Sequence, residues 1–262
     1  MLRAEHPDLV RALALPSVGS TNSELKRLAL DERWPHRSAL VTDDQTAGRG
    51  RLDRRWSSPP GDGLAISVLL RGSLPAELLG WVPLVAGLSM RDAVAPEVAG
   101  VASLKWPNDV LIDGRKVAGV LAELLSVDPP ALVVGVGVNV LMPADRLPVP
   151  AAISLVVAGA EAHPGLAQRV YDRYIAELCA RYAELESGGA AAASALARTR
   201  SAISTVGRRV RVELPGGADL QGVAGLQGVA VGLDEAGRLL VRTDAGAVVP
   251  VSAGDVTHVR YE

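Results

Sequence analysis

The sequence predicts an α+β chain: a mixed β-sheet backed by helices over residues 1–200, then a small β-barrel over 205–262. Three observations predict it. Apolar runs suited to buried strands, at 64–70 and 132–140, are interspersed with helical spacings. Hydrophobic residues make up 48% of the 262, enough for a full core, although phenylalanine is absent and aliphatic side chains must fill it. From about Thr205 the texture changes to short β-like runs separated by Pro-Gly-Gly, Glu-Ala-Gly and Asp-Ala-Gly turns.

Taken in order, Leu9 to Ala14 offers little. Ser20 or Thr21 can cap a helix carrying Leu25, Leu28 and Leu30, with Glu24 as a capping-box partner. Ala39 to Thr42 reads as a strand ending in a polar loop, 43–60. Leu64 to Leu70 reads as a buried strand, and Leu78 to Val94 as a core helix apolar on several faces. Residues 105–125 read as a hairpin, because Asp113-Gly114 between apolar runs suits a type I′ turn with positive φ at both positions. Pro107 keeps Trp106 out of the helical region. Leu132 to Val140 is β-branched enough for a central strand. Val170, Tyr174, Leu178, Tyr182 and Leu185 make one apolar helical stripe, and the small-residue stretch 188–197 reads as a linker or helix end. In the C-terminal region, Leu220 to Gly225 is echoed by Leu226 to Ala230, which reads as a local duplication lengthening a hairpin.

Composition removes several function classes. The net charge of −2 argues against coating nucleic acid or anionic membrane. Cys179 is the single cysteine, so there is no internal disulfide and no CxxC metal or redox site; it reads as a small buried hydrophobe. The longest apolar run, Ala131 to Met142, contains Asn139 and is too short for a bilayer. With no secretory leader pattern, the chain is expected to be cytoplasmic. His6, His36, His163 and His258 are scattered and read as surface histidines, which leaves no metal-ligating set. A phosphate-binding GxxxxGK[ST] loop is missing, and Gly135-Val136-Gly137 lacks the third glycine of a dinucleotide fold. Trp34 and Trp81 read as packing residues.

Two segments carry chemistry. Lysine occurs only at Lys26, Lys105 and Lys116, in a chain with 27 Lys plus Arg. Two of the three flank the 105–125 hairpin, where a compact ammonium suits an anion. The second segment is Gly48-Arg49-Gly50-Arg51, with Arg54 and Arg55 close behind. Its glycines let backbone approach a ligand, and its arginines can fork onto carboxylate or phosphate oxygens. Gln45 and Trp56 flank it with a polar handle and a stacking surface. A solvated basic loop is the bland alternative.

Together Ser20-Thr21-Asn22, Gln45-Thr46-Ala47-Gly48-Arg49-Gly50-Arg51, Trp56, Lys105-Trp106-Pro107-Asn108-Asp109, Arg115-Lys116-Val117-Ala118-Gly119 and Gly135 to Asn139 closely resemble the biotin–protein ligase family. The resemblance runs from about residue 17 to the end. It implies a class II synthetase-like core with an SH3-like C-terminal domain. The implied reaction has two steps: biotin and ATP give biotinyl-5′-AMP and pyrophosphate, then a lysine of a biotin carboxyl carrier domain takes the biotinyl group. It also implies Mg²⁺ carried by the ATP phosphates, and no dedicated protein metal site. On this likeness Lys116, Arg49 and Arg51 are the catalytic cations, offsetting the repulsion between carboxylate and α-phosphate. Ser20, Thr21, Asn22, Gln45, Gly48, Gly50 and Gly119, with those three cations, would surround biotin. Trp56, Lys105, Asn108, Asn139 and Arg260, again with the cations, would hold ATP. Lys105 as a solvated edge residue, Asn108 as a turn former, Ser20 to Asn22 as a plain cap, and Gly135 and Gly137 as packing glycines stay open. Ligases that also repress transcription carry an N-terminal winged helix-turn-helix; with the first cluster at Ser20, the expected form lacks it. The rival readings are a lipoate–protein ligase-like enzyme and a regulator that holds biotinyl adenylate without transferring it.

Overall fold

The computed structural model describes residues 2–52, 54–213 and 225–252, and the backbone of 255–258. Its main layer is a seven-stranded mixed sheet in the order β1-β2-β5-β9-β8-β7-β6. The strands are β1 (Arg11–Ala14), β2 (Ser38–Thr42), β5 (Gly63–Arg71), β6 (Ala102–Lys105), β7 (Asp109–Ile112), β8 (Arg115–Val127) and β9 (Pro130–Asn139). β9 lies in the middle, paired with β5 and β8, as its β-branched run predicts. Between β2 and β5 a separate two-stranded hairpin forms, β3 (Gly48–Arg49) with β4 (Arg55–Trp56).

Strand alternation gives the sheet two different faces. Ala39 and Val41, Val68 and Leu70, and Leu132 and Val134 point into the main core, against α2 (Val82–Val94) and α3 (Leu166–Ser187). Leu40, Leu69 and Val133 point the other way and meet Leu25 of α1 (Thr21–Leu28), Ala29 that caps its C-terminus, and Trp34. The core contains no phenylalanine; Trp81, Trp106, Tyr171, Tyr174 and Tyr182 are its largest fully buried side chains. All five apolar stripe positions of α3 are buried, which is why that helix covers the sheet. By length and composition Ala76–Glu97 could cross a membrane, but here most of it is buried inside the molecule against α3.

Several expectations change. Leu9 to Ala14 contains β1, an edge strand parallel to β2, whose half-exposed side chains give little apolar signal. The 43–60 loop contains the β3–β4 hairpin. The 105–125 hairpin is a three-stranded meander, because Trp106, Pro107 and Asn108 make a turn of their own between β6 and β7; the Trp106–Pro107 bond is cis. The expected turn holds, with φ of 49° at Asp113 and 79° at Gly114. The stretch 188–197, read as a linker or helix end, ends α3 at Gly188 and then forms most of α4 (Gly189–Ser201), since alanine favours helix more than its small size suggests. Ser20 is the cap of α1, accepting from the Ser23 N–H, while Glu24 pairs with Arg27 and makes no capping box. His36 is not a surface histidine: it is half-buried against Tyr182, and its Nδ1 accepts the Arg71 N–H at 3.0 Å.

The C-terminal unit is an antiparallel five-stranded sheet, β13-β12-β11-β10-β14, of the kind that curls into a small barrel. It comprises β10 (Arg209–Glu213), β11 (Leu226–Leu233), β12 (Leu239–Arg242), β13 (Val248–Val251) and β14 (Asp255–His258). The second copy of the sequence echo opens β11, and residues 220–224 of the first copy lie outside the described residues. Two tryptophans of the main layer dock this unit. Trp81 Nε1 donates to Glu235 O at 2.7 Å, and Trp106 Nε1 donates to Gly237 O at 3.1 Å. Trp81 therefore bonds across the boundary as well as packing, and the Arg200 guanidinium stacks 4.7 Å above its ring.

Candidate active site

The α1 face of the sheet is bare where three strands carry small residues in register. Ala65 of β5, Gly137 of β9 and Gly119 of β8 lie side by side, and Ser67, Gly135 and Leu121 form the next row. A cleft of about 140 Å³ opens over this floor, walled by the start of α1, the β3–β4 hairpin and the β7–β8 segment. It brings together Ser20, Thr21, Asn22, Gln45, Arg49, Gly50, Arg51, Trp56, Asn108, Lys116 and Gly119. The glycines have specific reasons. A Cβ on Gly135 would sit 2.1 Å from Asn22 Oδ1, and one on Gly137 would sit 2.4 Å from Trp56 Cε2. Gly48 could not carry a Cβ either, which would lie 2.3 Å from Trp56 O across the hairpin.

One end of the cleft is neutral and tightly wired. The Thr21 N–H and hydroxyl both donate to Gln45 Oε1, at 2.9 and 3.1 Å. Asn22 Nδ2 donates to Leu121 O at 3.1 Å and to Glu123 Oε2 at 2.9 Å, and Ser67 Oγ donates to Asn22 Oδ1 at 2.6 Å. With both Asn22 amide hydrogens committed to protein, the group can offer a ligand only its carbonyl oxygen. Ser20 Oγ accepts from Ser23 N, so its own hydroxyl hydrogen is left to donate. The Gln45 amide nitrogen lies beside Gly48, where a Cβ would come within 2.5 Å of it. Such a set of neutral donors and acceptors suits a cyclic urea.

The other end is cationic. Lys116 Nζ lies 2.6 Å from Asp109 Oδ1 and 5.9 Å from the centre of the Trp56 ring. Arg51 Nη1 donates to Asn108 Oδ1 at 3.2 Å, and Asn108 Nδ2 donates to Val120 O at 2.8 Å, tying the hairpin to the β6–β7 turn. Burial lowers the Arg51 pKa; Asp109 opposes that shift and Arg54 adds to it. Burial likewise lowers the Lys105 pKa, Asp109 opposes, and Lys116 and Arg54 add to the fall. Cations kept short of solvent in this way are strengthened partners for an incoming anion.

Three expected residues stand apart from the cleft lining. Gly48 is buried within β3, packed against the Trp56 carbonyl of the facing strand. Lys105 is half-buried at the end of β6, opposite Asp109 in register. Asn139 is buried, with its amide donating to Ile153 O at 3.0 Å. Arg260 lies outside the described residues. Asp109, Ser67 and Glu123 were not singled out from sequence, although Asp109 closes the Lys105-to-Asp109 motif. Glu123 had a signal too: on β8 it shares its face with Gly119 and Leu121. No cluster of three or more His, Cys, Asp or Glu able to hold a metal occurs among the described residues.

Fold and cleft together define a ligase core, with neutral hydrogen-bonding groups and clustered cations on one sheet face. Residues 14–139 match the Biotin/lipoate A/B protein ligase family, and residues 205–259 match the Biotin protein ligase C terminal domain. The biotin--[acetyl-CoA-carboxylase] ligase of Mycobacterium tuberculosis is 39% identical over 246 residues, covering 92% of this chain and 86% of that protein. The protein of the same name from Paracoccus denitrificans is 34% identical, covering 91% of this chain and 97% of that one. Among solved structures, the Aquifex aeolicus biotin protein ligase in complex with biotin and ATP superposes with a TM-score of 0.71 at 30% identity, over 97% of this chain and 100% of that one. The chain belongs to the biotin protein ligases of the Biotin/lipoate A/B protein ligase family.

Proposed function

We infer that this chain is an ATP-dependent biotin–protein ligase. It activates biotin to biotinyl-5′-AMP with release of pyrophosphate, then passes the biotinyl group to a lysine of a biotin carboxyl carrier domain, as in acetyl-CoA carboxylase. The carrying observation is one cleft in which a neutral hydroxyl and amide cluster, two buttressed cations and an indole follow one another within reach of a single ligand.

In the first step a biotin carboxylate oxygen attacks the α-phosphorus of ATP and pyrophosphate leaves. Ser20 and the Gln45 amide donate to the ureido oxygen, while Asn22 Oδ1 accepts a ureido N–H. Lys116 stands between the carboxylate and the α-phosphate, and Asp109, 2.6 Å away, aims its ammonium. Arg51 and Arg49 meet the charge that grows on the phosphoryl oxygens; one such contact is worth about 3 kcal/mol in the transition state. Trp56 stacks on adenine, with Gly50 and Gly119 leaving room for backbone approach and Gly48 letting the two hairpin strands close together. Lys105 and Asn108 face the phosphates, and Asn139 and Arg260 complete the nucleotide site. Mg²⁺ fits here through the ATP phosphates, since the carboxylate among these cations, Asp109, is paired with Lys116. In the second step the carrier lysine amine attacks the anhydride carbonyl and AMP leaves. The Gly-Arg hairpin shields that anhydride from water meanwhile. Residues 1–200 form the catalytic domain and 205–262 the SH3-like domain, in a cytoplasmic protein that acts on neither nucleic acid nor membrane.

Incubation with ATP, Mg²⁺, labelled biotin and a carrier domain is expected to label the carrier, with pyrophosphate release dependent on biotin. Lipoate in place of biotin separates the lipoate ligase alternative. Adenylate formed without transfer would instead identify the regulator.

A further inference from the structure

Glu123 collects three donors beside the neutral end of the cleft. Its Oε2 accepts from Asn22 Nδ2 at 2.9 Å. Its Oε1 accepts from Lys26 Nζ at 2.8 Å and from Arg49 Nη1 at 3.2 Å. These partners come from α1 and from the β3–β4 hairpin, while Glu123 itself stands on β8, so one carboxylate joins three elements around the site. Its side chain is 14% exposed, which shields these interactions from water. Burial alone pushes its carboxyl pKa up, but the hydrogen bonds from Lys26 and Asn22 and the charges of Lys26 and Arg49 outweigh it. The net shift is downward, and the group is an anion at neutral pH.

We propose that Glu123 is a positioning residue for the biotin end of the cleft and for the hairpin above it: it fixes the Asn22 amide with its oxygen toward biotin, and it tethers Arg49 so that the Gly-Arg hairpin stays over the cleft. The proposal rests on the reading of the cleft as a biotin and ATP site. The atoms impose it. Asn22 has two amide hydrogens, and Leu121 O takes one, so Glu123 decides the direction of the other. Arg49 bears on the same carboxylate from a short hairpin, whose strands pair at Gly48 with Trp56 and at Arg49 with Arg55 and whose Gly50 N–H donates to Arg54 O. Glutamine cannot replace this group: if its oxygen meets Asn22, its NH₂ faces Lys26 and Arg49, and if turned over, it faces the Asn22 NH₂.

The test is Glu123→Gln, assayed by biotin-dependent pyrophosphate release without any acceptor. In the wild type the enclosed adenylate is expected to give a burst followed by a slow phase set by escape of biotinyl-AMP. The variant should raise the KM for biotin about tenfold, as expected for a lost hydrogen bond to a charged group. It should also speed the post-burst phase severalfold, while the KM for ATP stays within about twofold. A variant with wild-type biotin KM and post-burst rate overturns the proposal, and so does one that lowers only kcat and thermal stability, which is the mark of a merely structural role. A wild type that releases no pyrophosphate in response to biotin overturns the functional reading and the proposal with it. If Glu123→Gln does not fold, Glu123→Asp is read in its place. Its carboxylate keeps the charge but is one methylene too short for all three donors, so the same two changes are expected at smaller size. Their absence overturns the proposal.

Discussion

Lys116 shows how much one residue position depends on its immediate surroundings. Its ammonium sits 2.6 Å from Asp109 Oδ1, and a Cβ built on Gly119 would lie 3.1 Å from its Nζ. A planar guanidinium would spread its charge over three nitrogens and lose the point contact proposed between carboxylate and α-phosphate. Lys116→Arg is expected to cut biotin-dependent pyrophosphate release by about a hundredfold or more, with the thermal midpoint close to that of the parent. Near-normal turnover would refute the point-charge role. The scarcity of lysine made this position legible in the sequence. Its partner was not, because an Asp two residues after a Pro reads equally well as a turn former.

At the scale of an element, strand β9 sets the two ends of the cleft apart along its own length. Gly135 lies under Asn22 and Gly137 under Trp56, two residues apart on one face. A methyl at either site forces its neighbour aside, and overpacking of this kind costs about 1–3 kcal/mol. Gly135→Ala is therefore expected to raise the KM for biotin about tenfold, and Gly137→Ala to do the same for ATP, each with a smaller effect on the other substrate. Initial-rate kinetics against both substrates checks this crossed pattern; equal changes in both constants would refute it. From sequence the two glycines were even between packing and function. Only the strand register, which sets Gly135 beside Leu121 and Gly137 beside Gly119, shows what lies above them.

Across the whole molecule, His36 joins the sheet to α3. Burial first, and the Arg37 charge second, depress its pKa from 6.5 to about 4. In the unfolded chain the imidazole takes up a proton near its ordinary value, while the folded protein resists until about pH 4. The stability this neutral ring provides is thus full above about 6.5 and is lost as pH falls toward about 4. Urea midpoints measured from pH 7 to pH 4 should decline over that window and decline less in His36→Gln; parallel curves would remove His36 as the cause. The same scale holds the two tryptophan bonds from the main layer to the C-terminal unit. Trp106 lies inside the Lys105-to-Asp109 motif yet faces away from the cleft, so one short segment serves the site and the domain junction together.

The sequence by itself determined the mixed sheet with its helices, the C-terminal β unit, the turn at Asp113-Gly114 and the family, because periodicity, turn chemistry and ordered motifs are local properties of a chain. Edge strand β1, the β3–β4 hairpin and helix α4 escaped it, since short or half-exposed elements carry weak periodic signals and take their form from what they pack against. Tertiary structure alone decided which side chains share a charge. Asp109 with Lys116, and Glu123 with Asn22, Lys26 and Arg49, are partnerships set by strand register and by the seating of α1, across sequence separations that no motif spacing records.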